Sequence, residues 1–379
     1  MLIIYELIFL FMKKIRVLMI SSSGALGGGP ILMHTLGNGL SKEFEVFYAI
    51  PENKFFNLFS IKKDQIINIS ERKITFFDLV KLVKFIDMKS IDIIHAHGKG
   101  ASFIARIIKI IVRKPLIYSF HGIHLKCLNS IQKLTYIALE NFFSFLDSYK
   151  VLSSKSEKLY AEKSHIRLGK NHLIINNGVK HKKIKSFLNS GATNKRDFKK
   201  DKIKIISICR FVKQKNVSEI VEIANLLPDF NFYIIGYGPL FEKINLKKEK
   251  YNLQNVFFLG RQNNILKYLY DSDLYLSTSL YEGLPISIIE AMSIGMPVIA
   301  SDVTGNNDTI IHGESGFLYK LGSIQEASKY IKLFSKNVNL LKSMGKKSYE
   351  RQRQEFSVEE MCLATSNLYK KIYKDKKRF

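Results

Sequence analysis

The sequence predicts an α/β protein of two Rossmann-like domains facing a central cleft. Three observations carry that expectation. Short, continuously apolar runs alternate with helical patterns through both halves, as in parallel sheets covered on both faces. A polar, basic stretch from 180 to 202, poor in large apolar residues, separates two such series. The length of 379 residues is enough for two domains, each with its own core.

In the first series, strands are expected over residues 15–21, 44–50, 66–69, 91–95, 116–120, 150–153 and 173–176. Helices are expected after the first glycine loop, around 78–88, over 101–112 and 131–145, and from 156. In the second series, strands are expected over 203–209, 231–236, 255–260, 274–277 and 297–301, with helices between them. The segment from Val358 to Tyr373 has a helical pattern that could return to the first domain. The expected organisation is therefore 1–179 for a first Rossmann-like domain, 180–202 for a basic linker, 203–352 for a second Rossmann-like domain and 353–379 for a C-terminal helix.

Hydrophobic content of 46% and charged content of 24% are those of a folded globular chain. The formal charge of +26 is unusual and points to an anionic partner: nucleic acid, anionic membrane or phosphorylated substrate. Nucleic acid is disfavoured, because no recognition motif or aromatic stacking platform accompanies the charge. Basic residues interleaved with apolar ones over Arg106–Lys114 and Lys126–Lys133 fit a peripheral membrane face. Cys127, Cys209 and Cys362 have no metal-ligand spacing, and an odd count without a signal peptide is expected of a reducing cytoplasm. Met1 to Met12 is too short for a membrane span, which leaves two readings: Met12 is the start, favoured because the first natural strand begins at Ile15, or the segment is an extra membrane-touching tail.

The densest chemical signal runs from Tyr281 to Met292. A strand ends near Thr278, Glu282-Gly283-Leu284 follows, Pro285 stands where a first helical residue would, and Glu290 lies eight residues after Glu282. Free N–H groups at such a turn can hold an anion, and ionised carboxylates on either side accept from sugar hydroxyls. Phosphate and polyol recognised together suggest a nucleotide sugar.

Other candidates also follow strands. Arg210, Lys213 and Lys215 end the first strand of the second series, where cations can neutralise a diphosphate; Arg210 and Lys215 are the stronger pair. Gly236-Tyr237-Gly238 is either a nucleotide-side turn or only a turn. Gly24 to Pro30, with Gly28-Gly29, follows the first strand, but the spacing of a dinucleotide fingerprint is absent. Among His95, His97, His121 and His124, His121 is the best ligand candidate, because it directly follows a strand. The four lack carboxylate or cysteine companions at metal-ligand spacing, so no metal is expected. Cys209 reads as a small core residue.

Together these residues resemble a family-4 retaining glycosyltransferase with the GT-B fold. The resemblance covers nearly the whole chain from Lys14 and is strongest between Asn255 and Leu318. It rests on Glu282 to Glu290, on Ala291 through Gly295 and Pro297 to Ser301, and on the glycine turn Gly313 to Leu318. Asn177-Gly178-Val179 resembles the family's turn before the linker. The resemblance implies that Glu290 binds the ribose hydroxyls and that Glu282 faces the donor hexose. It further implies that Gly283 and Leu284 offer backbone N–H groups, and that Arg210 and Lys215 meet the diphosphate. Gly28-Gly29 would lie between diphosphate and acceptor, and His121 would touch the transferred sugar. The chain departs from the family at Cys209, Ile31 and Thr304-Gly305-Asn306-Asn307-Asp308.

The expected reaction is transfer of a hexose, with retention, from a nucleoside-diphosphate sugar (a UDP-sugar is favoured) to a lipid-linked or cell-envelope glycan. No cofactor is expected beyond that co-substrate, and no Asp-x-Asp-like metal motif stands in a suitable loop. The competing readings are a nucleotide-sugar epimerase, a nicotinamide-dependent dehydrogenase resting on the glycine loop and Glu52, and a membrane-associated scaffold with a degenerate site. The expected location is the cytoplasm, peripheral at the inner face of the plasma membrane.

Overall fold

The structure, a computed structural model, describes residues 13–24, 28–52, 61–72, 75–123, 125, 128–184 and 202–376. The expectations for the first twelve residues, for Ala25 to Gly27, His124, Lys126 and Cys127, and for 185–201 of the linker lie outside the described residues. The chain divides into two compact units, Met1–Gly178 with Val358–Phe379, and Val179–Ser357.

The predicted fold class holds: each unit is built on a parallel sheet. The first sheet has β1 (Ile15–Ile20), β2 (Phe44–Pro51), β3 (Ile66–Ile69), β4 (Ile93–His97), β5 (Leu116–Ser119), β6 (Tyr149–Leu152) and β7 (His172–Ile174), in the order β3-β2-β1-β4-β5-β6-β7. The second has β8 (Lys204–Ile208), β9 (Asn231–Ile235), β10 (Val256–Gly260), β11 (Leu274–Ser277), β12 (Val298–Ser301) and β13 (Gly316–Tyr319), in the order β10-β9-β8-β11-β12-β13. Helices cover the sheets, so the central strands are buried on both faces and read as unbroken apolar runs. Strand order reverses between β1 and β4 and between β8 and β11, and ligands of such sheets bind beyond the carboxyl ends at these switch points.

Both switch points carry the same clamp at the opposite, amino end. Asp92, just before β4, accepts from the Arg16 N–H at 3.1 Å. Asp273, just before β11, accepts from the Lys204 N–H at 2.8 Å. Asp273 of the Asp271-Ser272-Asp273 run therefore serves the amino end of the sheet.

Several helices begin where capping chemistry says they should. Thr75 and Asp78 form a reciprocal capping box, as do Asn129 and Gln132, and Ser154 accepts from the Glu157 N–H. Two expectations shift. The helix predicted over 131–145 is α-helical over Ser130–Phe142 and tightens into a 3₁₀ turn over Phe143–Leu146. Strand β13 escaped the sequence reading, because its four residues begin with glycine; a Cβ on Gly316 would stand 2.3 Å from the Val298 carbonyl oxygen.

The Val358–Lys376 helix belongs to the first unit. Its Tyr369 hydroxyl bonds His95 Nδ1 at 2.6 Å, and Lys370 pairs with Glu43 at 2.7 Å. The second unit keeps the preceding Val338–Glu355 helix, whose Leu341 and Met344 lie in that unit's core. The division at Val358 thus comes five residues later than the sequence boundary at 353.

One partner expectation needs correction in its details. Arg106 is no surface charge: it is buried, forked onto Glu140 at 2.6 and 3.2 Å and onto Asp147 at 2.5 and 2.9 Å. Lys109 donates to Ser148 Oγ at 2.9 Å. The Lys99–Val112 helix thus turns basic groups inward, because two carboxylates wait there to compensate the arginine.

Candidate functional site

In the second unit, two loops meet at the carboxyl ends of β8 and β11. From β8 come Cys209, exposed Arg210 and a 3₁₀ turn over Lys213–Lys215. From β11 come Thr278, Ser279 and the Tyr281-Glu282-Gly283 segment. Thr278 Oγ1 donates to the Lys215 and Asn216 carbonyls, both at 3.0 Å, and the Leu280 N–H donates to the Gln214 carbonyl at 2.8 Å.

This seam holds Glu282 tightly. Its Oε1 accepts from Ser279 Oγ at 2.6 Å and pairs with Lys215 Nζ at 2.5 Å; its Oε2 accepts from Gln214 Nε2 at 3.3 Å. Its backbone N–H donates to the Thr304 carbonyl at 2.9 Å. The two residues singled out separately in the sequence are therefore one ion pair, buried on the Glu282 side and one-fifth exposed on the Lys215 side. One ammonium N–H is committed to Glu282, and an ammonium has three.

Gly283 and Leu284 precede the short Ile286–Met292 helix, in which Pro285 is the N-cap and not the expected first helical residue. The Leu284 side chain is buried with Ile288, Ile289 and Met292, which anchors the turn to the core. Glu290 lies on this helix, half-buried. Burial pushes its carboxyl up to about 7, against the opposing pull of the Lys182 ammonium. Burial likewise pushes the Cys209 thiol up to about 12, with Lys215 pulling the other way, so this cysteine stays a neutral thiol. Lys213 is exposed. The Gly236-Tyr237-Gly238 turn has a packing reason: Cβ atoms there would stand 1.9 Å from the Cys209 oxygen and 2.6 Å from the Phe211 oxygen.

Sequence reasoning missed Gln214, Ser279 and Gly305. Gly305 stood out only as a departure from the family pattern. It has φ +87°, and a Cβ would stand 2.5 Å from the Gly283 oxygen and 2.8 Å from the Glu282 Cβ. Gly305→Ala should therefore displace the Glu282-Gly283 turn. The expected result is a loss of about 1–3 kcal/mol, or some 2–4 °C of melting temperature per kcal/mol, with a larger fall in activity. An unchanged melting curve and unchanged turnover would show that the loop yields freely.

In the first unit, His121 and Gly122 follow β5, with φ of +55° and +108°. The turn is held from below. The Gly122 N–H donates to Glu157 Oε1 at 2.6 Å, and Glu157 Oε2 accepts from the Ser153 N–H and hydroxyl at 2.6 and 2.7 Å. Glu157 was legible only as the third residue after Ser154 in a helix-start pattern. His121 Nε2 lies 2.9 Å from His97 Nδ1, with the rings stacked at 5.1 Å, so Nδ1 is the His121 nitrogen left for a ligand. His97 Nε2 is buried and has no partner among the described residues. Burial lowers His121 to about 4, and burial followed by the His121 charge lowers His95 to about 3, so both rings are neutral near pH 7. Three of the four sequence histidines thus converge through hydrogen bonds and stacking. Among the described residues, no group of three or more His, Cys, Asp or Glu could hold a metal ion.

Gly28 and Gly29 open the Gly28–Gly39 helix after β1, on the switch-point side of the first sheet. No described atom lies within 4 Å of where a Gly29 Cβ would stand. Glu52 follows the end of β2 and is exposed.

Comparison with known proteins agrees with this architecture. Residues 191–351 match the family model for glycosyl transferases group 1. The chain is 28% identical over 264 residues to the Escherichia coli UDP-Gal:alpha-D-GlcNAc-diphosphoundecaprenol alpha-1,3-galactosyltransferase, covering 65% of this chain and 67% of that one. It is 26% identical to the O-antigen biosynthesis glycosyltransferase WbnH of Escherichia coli, covering 80% of this chain and 88% of the relative. Among solved structures, Anabaena HepE in complex with UDP-glucose superposes with a TM-score of 0.79 at 19% identity, covering 94% of this chain and 99% of that one. A sucrose-phosphate synthase from Thermosynechococcus elongatus superposes equally well, at 0.79 and 18% identity over 96% of this chain and 100% of that one. The chain thus has the fold of the GT-B glycosyltransferases, and its residues 191–351 match the group 1 glycosyl transferase model.

Proposed function

We propose that the protein is a retaining, metal-independent hexosyltransferase. Its donor is a nucleoside-diphosphate sugar, with UDP as the favoured nucleotide. Its acceptor is a hydroxyl of a lipid-linked or cell-envelope glycan, used from the cytoplasmic side. The observation that carries the reading is the Lys215–Glu282 pair at the β8/β11 switch point, in the loop that Arg210 opens and one turn ahead of the helix with Glu290. Further support comes from the relatives, named for a UDP-Gal donor, a diphosphoundecaprenol-linked acceptor and O-antigen biosynthesis, and from HepE, solved with UDP-glucose.

In this reading, Glu290 accepts from the ribose hydroxyls and Glu282 orients the hexose. Arg210, Lys215 and the Gly283-Leu284 backbone meet the diphosphate, and charge builds there as the anomeric carbon–oxygen bond breaks. The acceptor oxygen bonds the anomeric carbon from the face the diphosphate leaves, and its proton passes to a diphosphate oxygen. Neutral His121 offers Nδ1 to a sugar hydroxyl, and Gly28-Gly29 gives the acceptor side room for close approach.

The test is binding and turnover across a panel of nucleoside-diphosphate sugars, with the anomeric configuration of the product read by NMR. Steady epimer formation without acceptor, or tight NAD binding with no sugar nucleotide bound, would overturn the proposal.

Glu290 adds a pH signature. Its folded pKa of about 7 stands above the ordinary 4.5, so between those values the folded protein holds a proton the unfolded chain has released. Its contribution to stability therefore falls as pH rises through that window. Ribose hydroxyls bonded to the carboxylate favour the charged form, so donor binding should release a proton. Donor affinity should then rise with pH up to about 7 and level off above it. Calorimetry in buffers of different ionisation enthalpy reads the proton directly. Glu290→Gln should abolish the slope; an unchanged slope in that variant assigns the proton elsewhere.

A further inference from the structure

Three helices of the first unit turn large apolar side chains outward. The Ser130–Phe142 helix has an inverted pattern. Its buried positions are Tyr136 and Glu140, the latter reaching Arg106, while Ile131, Leu134 and Phe142 are 79%, 70% and 66% exposed. An ordinary surface helix has the opposite arrangement. Phe145, on the 3₁₀ turn that follows, is 74% exposed.

The Lys99–Val112 helix is apolar on both sides. Ala101, Ile104, Ala105 and Ile108 face the core, and Phe103, Ile110 and Ile111 face outward. Phe103 meets Phe143 edge-on at 5.9 Å, and Phe143 meets Phe142 at 5.0 Å, which joins the two helices into one apolar surface. The Phe76–Met88 helix packs beside the Lys99–Val112 helix and exposes Phe76, Phe77, Val80 and Met88. The crossovers β3 to β4, β4 to β5 and β5 to β6 all run the same way across the sheet, so right-handed connection puts the three helices on one face.

The charge of this face selects its occupant. Across the three helices and the Arg113 cap, the exposed ionisable residues are Lys81, Lys84, Lys99, Arg113 and Lys133 against the single acid Asp87. A second copy of the same face would bring these cations together, whereas anionic lipid complements them. No helix among the described residues is long and apolar enough to cross a membrane.

We propose that the face formed by the Phe76–Met88, Lys99–Val112 and Ser130–Phe142 helices docks on an anionic lipid surface. Ile131, Leu134, Phe142 and Phe145 enter the headgroup boundary, and the lysines meet lipid phosphates. Arg106, one of the cations of the interleaved stretch, acts from the inside instead: it compensates Glu140, so the outer side of the helix is free to be apolar.

The inference does not depend on the identity of the donor, and its test separates the two. Sedimentation of the full chain with phosphatidylcholine vesicles, with and without phosphatidylglycerol, is compared with that of an Ile131→Ser/Leu134→Ser/Phe142→Ser variant. The wild type should bind the phosphatidylglycerol vesicles and release with salt. The variant should bind at least about tenfold more weakly, because three large apolar side chains no longer leave water on docking. Circular dichroism and UDP binding should stay unchanged in the variant. Equal binding by both proteins would overturn the proposal, as would wild type that ignores the anionic vesicles. A dimer in solution that the variant dissolves, without vesicle binding, would assign the face to self-association instead.

Discussion

Arg106→Ala is expected to destabilise the first unit by about 3–5 kcal/mol, against a typical domain stability of roughly 5–15 kcal/mol. The guanidinium is buried and forked onto two carboxylates, Glu140 and Asp147, whose side chains are likewise buried. Burial alone would pull the arginine toward its neutral form. Hydrogen bonds and charge from Asp147 and Glu140 outweigh that and hold its pKa above the ordinary value. Truncation leaves two buried acids, with Lys150 3.6 Å from Asp147 as the remaining cation of the cluster. Urea unfolding followed by circular dichroism should show a clearly lower midpoint. Arg106→Lys, which keeps the charge but loses the fork, should fall between wild type and alanine. A midpoint unmoved in Arg106→Ala would mean that water enters and solvates the acids. The consequence reaches the surface too, since Glu140 orients the helix that carries Ile131, Leu134 and Phe142 outward.

Lys215→Ala is expected to lower kcat by about 10²–10³-fold, the usual loss when one donor to a developing anion is removed. The prediction rests on the proposed donor site and separates two roles for this lysine. If Lys215 only positions Glu282, then Glu282→Gln should reproduce the defect, because the amide loses the ion pair while Ser279 Oγ, now 2.6 Å from Glu282 Oε1, still holds the side chain. If Lys215 meets the diphosphate, Lys215→Ala should weaken UDP binding and slow the chemical step, while Glu282→Gln spares UDP affinity and affects only hexose transfer. Equal UDP affinity in wild type and Lys215→Ala would remove the lysine from the diphosphate.

The second unit was the more legible half. Glu282, Gly283, Pro285 and Glu290 fall within one turn and one short helix, so sequence neighbours stay spatial neighbours and the motif can be read without folding the chain. Arg210 and Lys215 were legible for a related reason: in a parallel sheet the residues that follow a strand stand at its carboxyl end, whatever the long-range topology. Gln214, Ser279 and Gly305 were not legible, because their roles arise from contacts across loops of different strands. Gly305 looked like a mismatch in the sequence, yet its missing side chain is what lets the Thr304 loop lie against Glu282 and Gly283.

The histidines and the basic helices show the limit from the other side. His97 and His121 are 24 residues apart and meet only because β4 and β5 are neighbours, paired at His97 and Ser119. Charge interleaved with apolar residues suggested a membrane face along Arg106–Lys114, but spacing does not reveal which way each side chain turns. That direction depends on what waits beneath the helix, here Glu140 and Asp147. By itself the sequence determined the fold class, the strand-and-helix alternation and the local turn from Glu282 into the short helix that carries Glu290, because these follow from periodicity and turn chemistry within a few residues. Only the tertiary structure decided that Lys215 and Glu282 are one pair, that His97 backs His121 and that Arg106 is buried. Each of these depends on contacts between residues distant in sequence, and long-range packing alone brings them together.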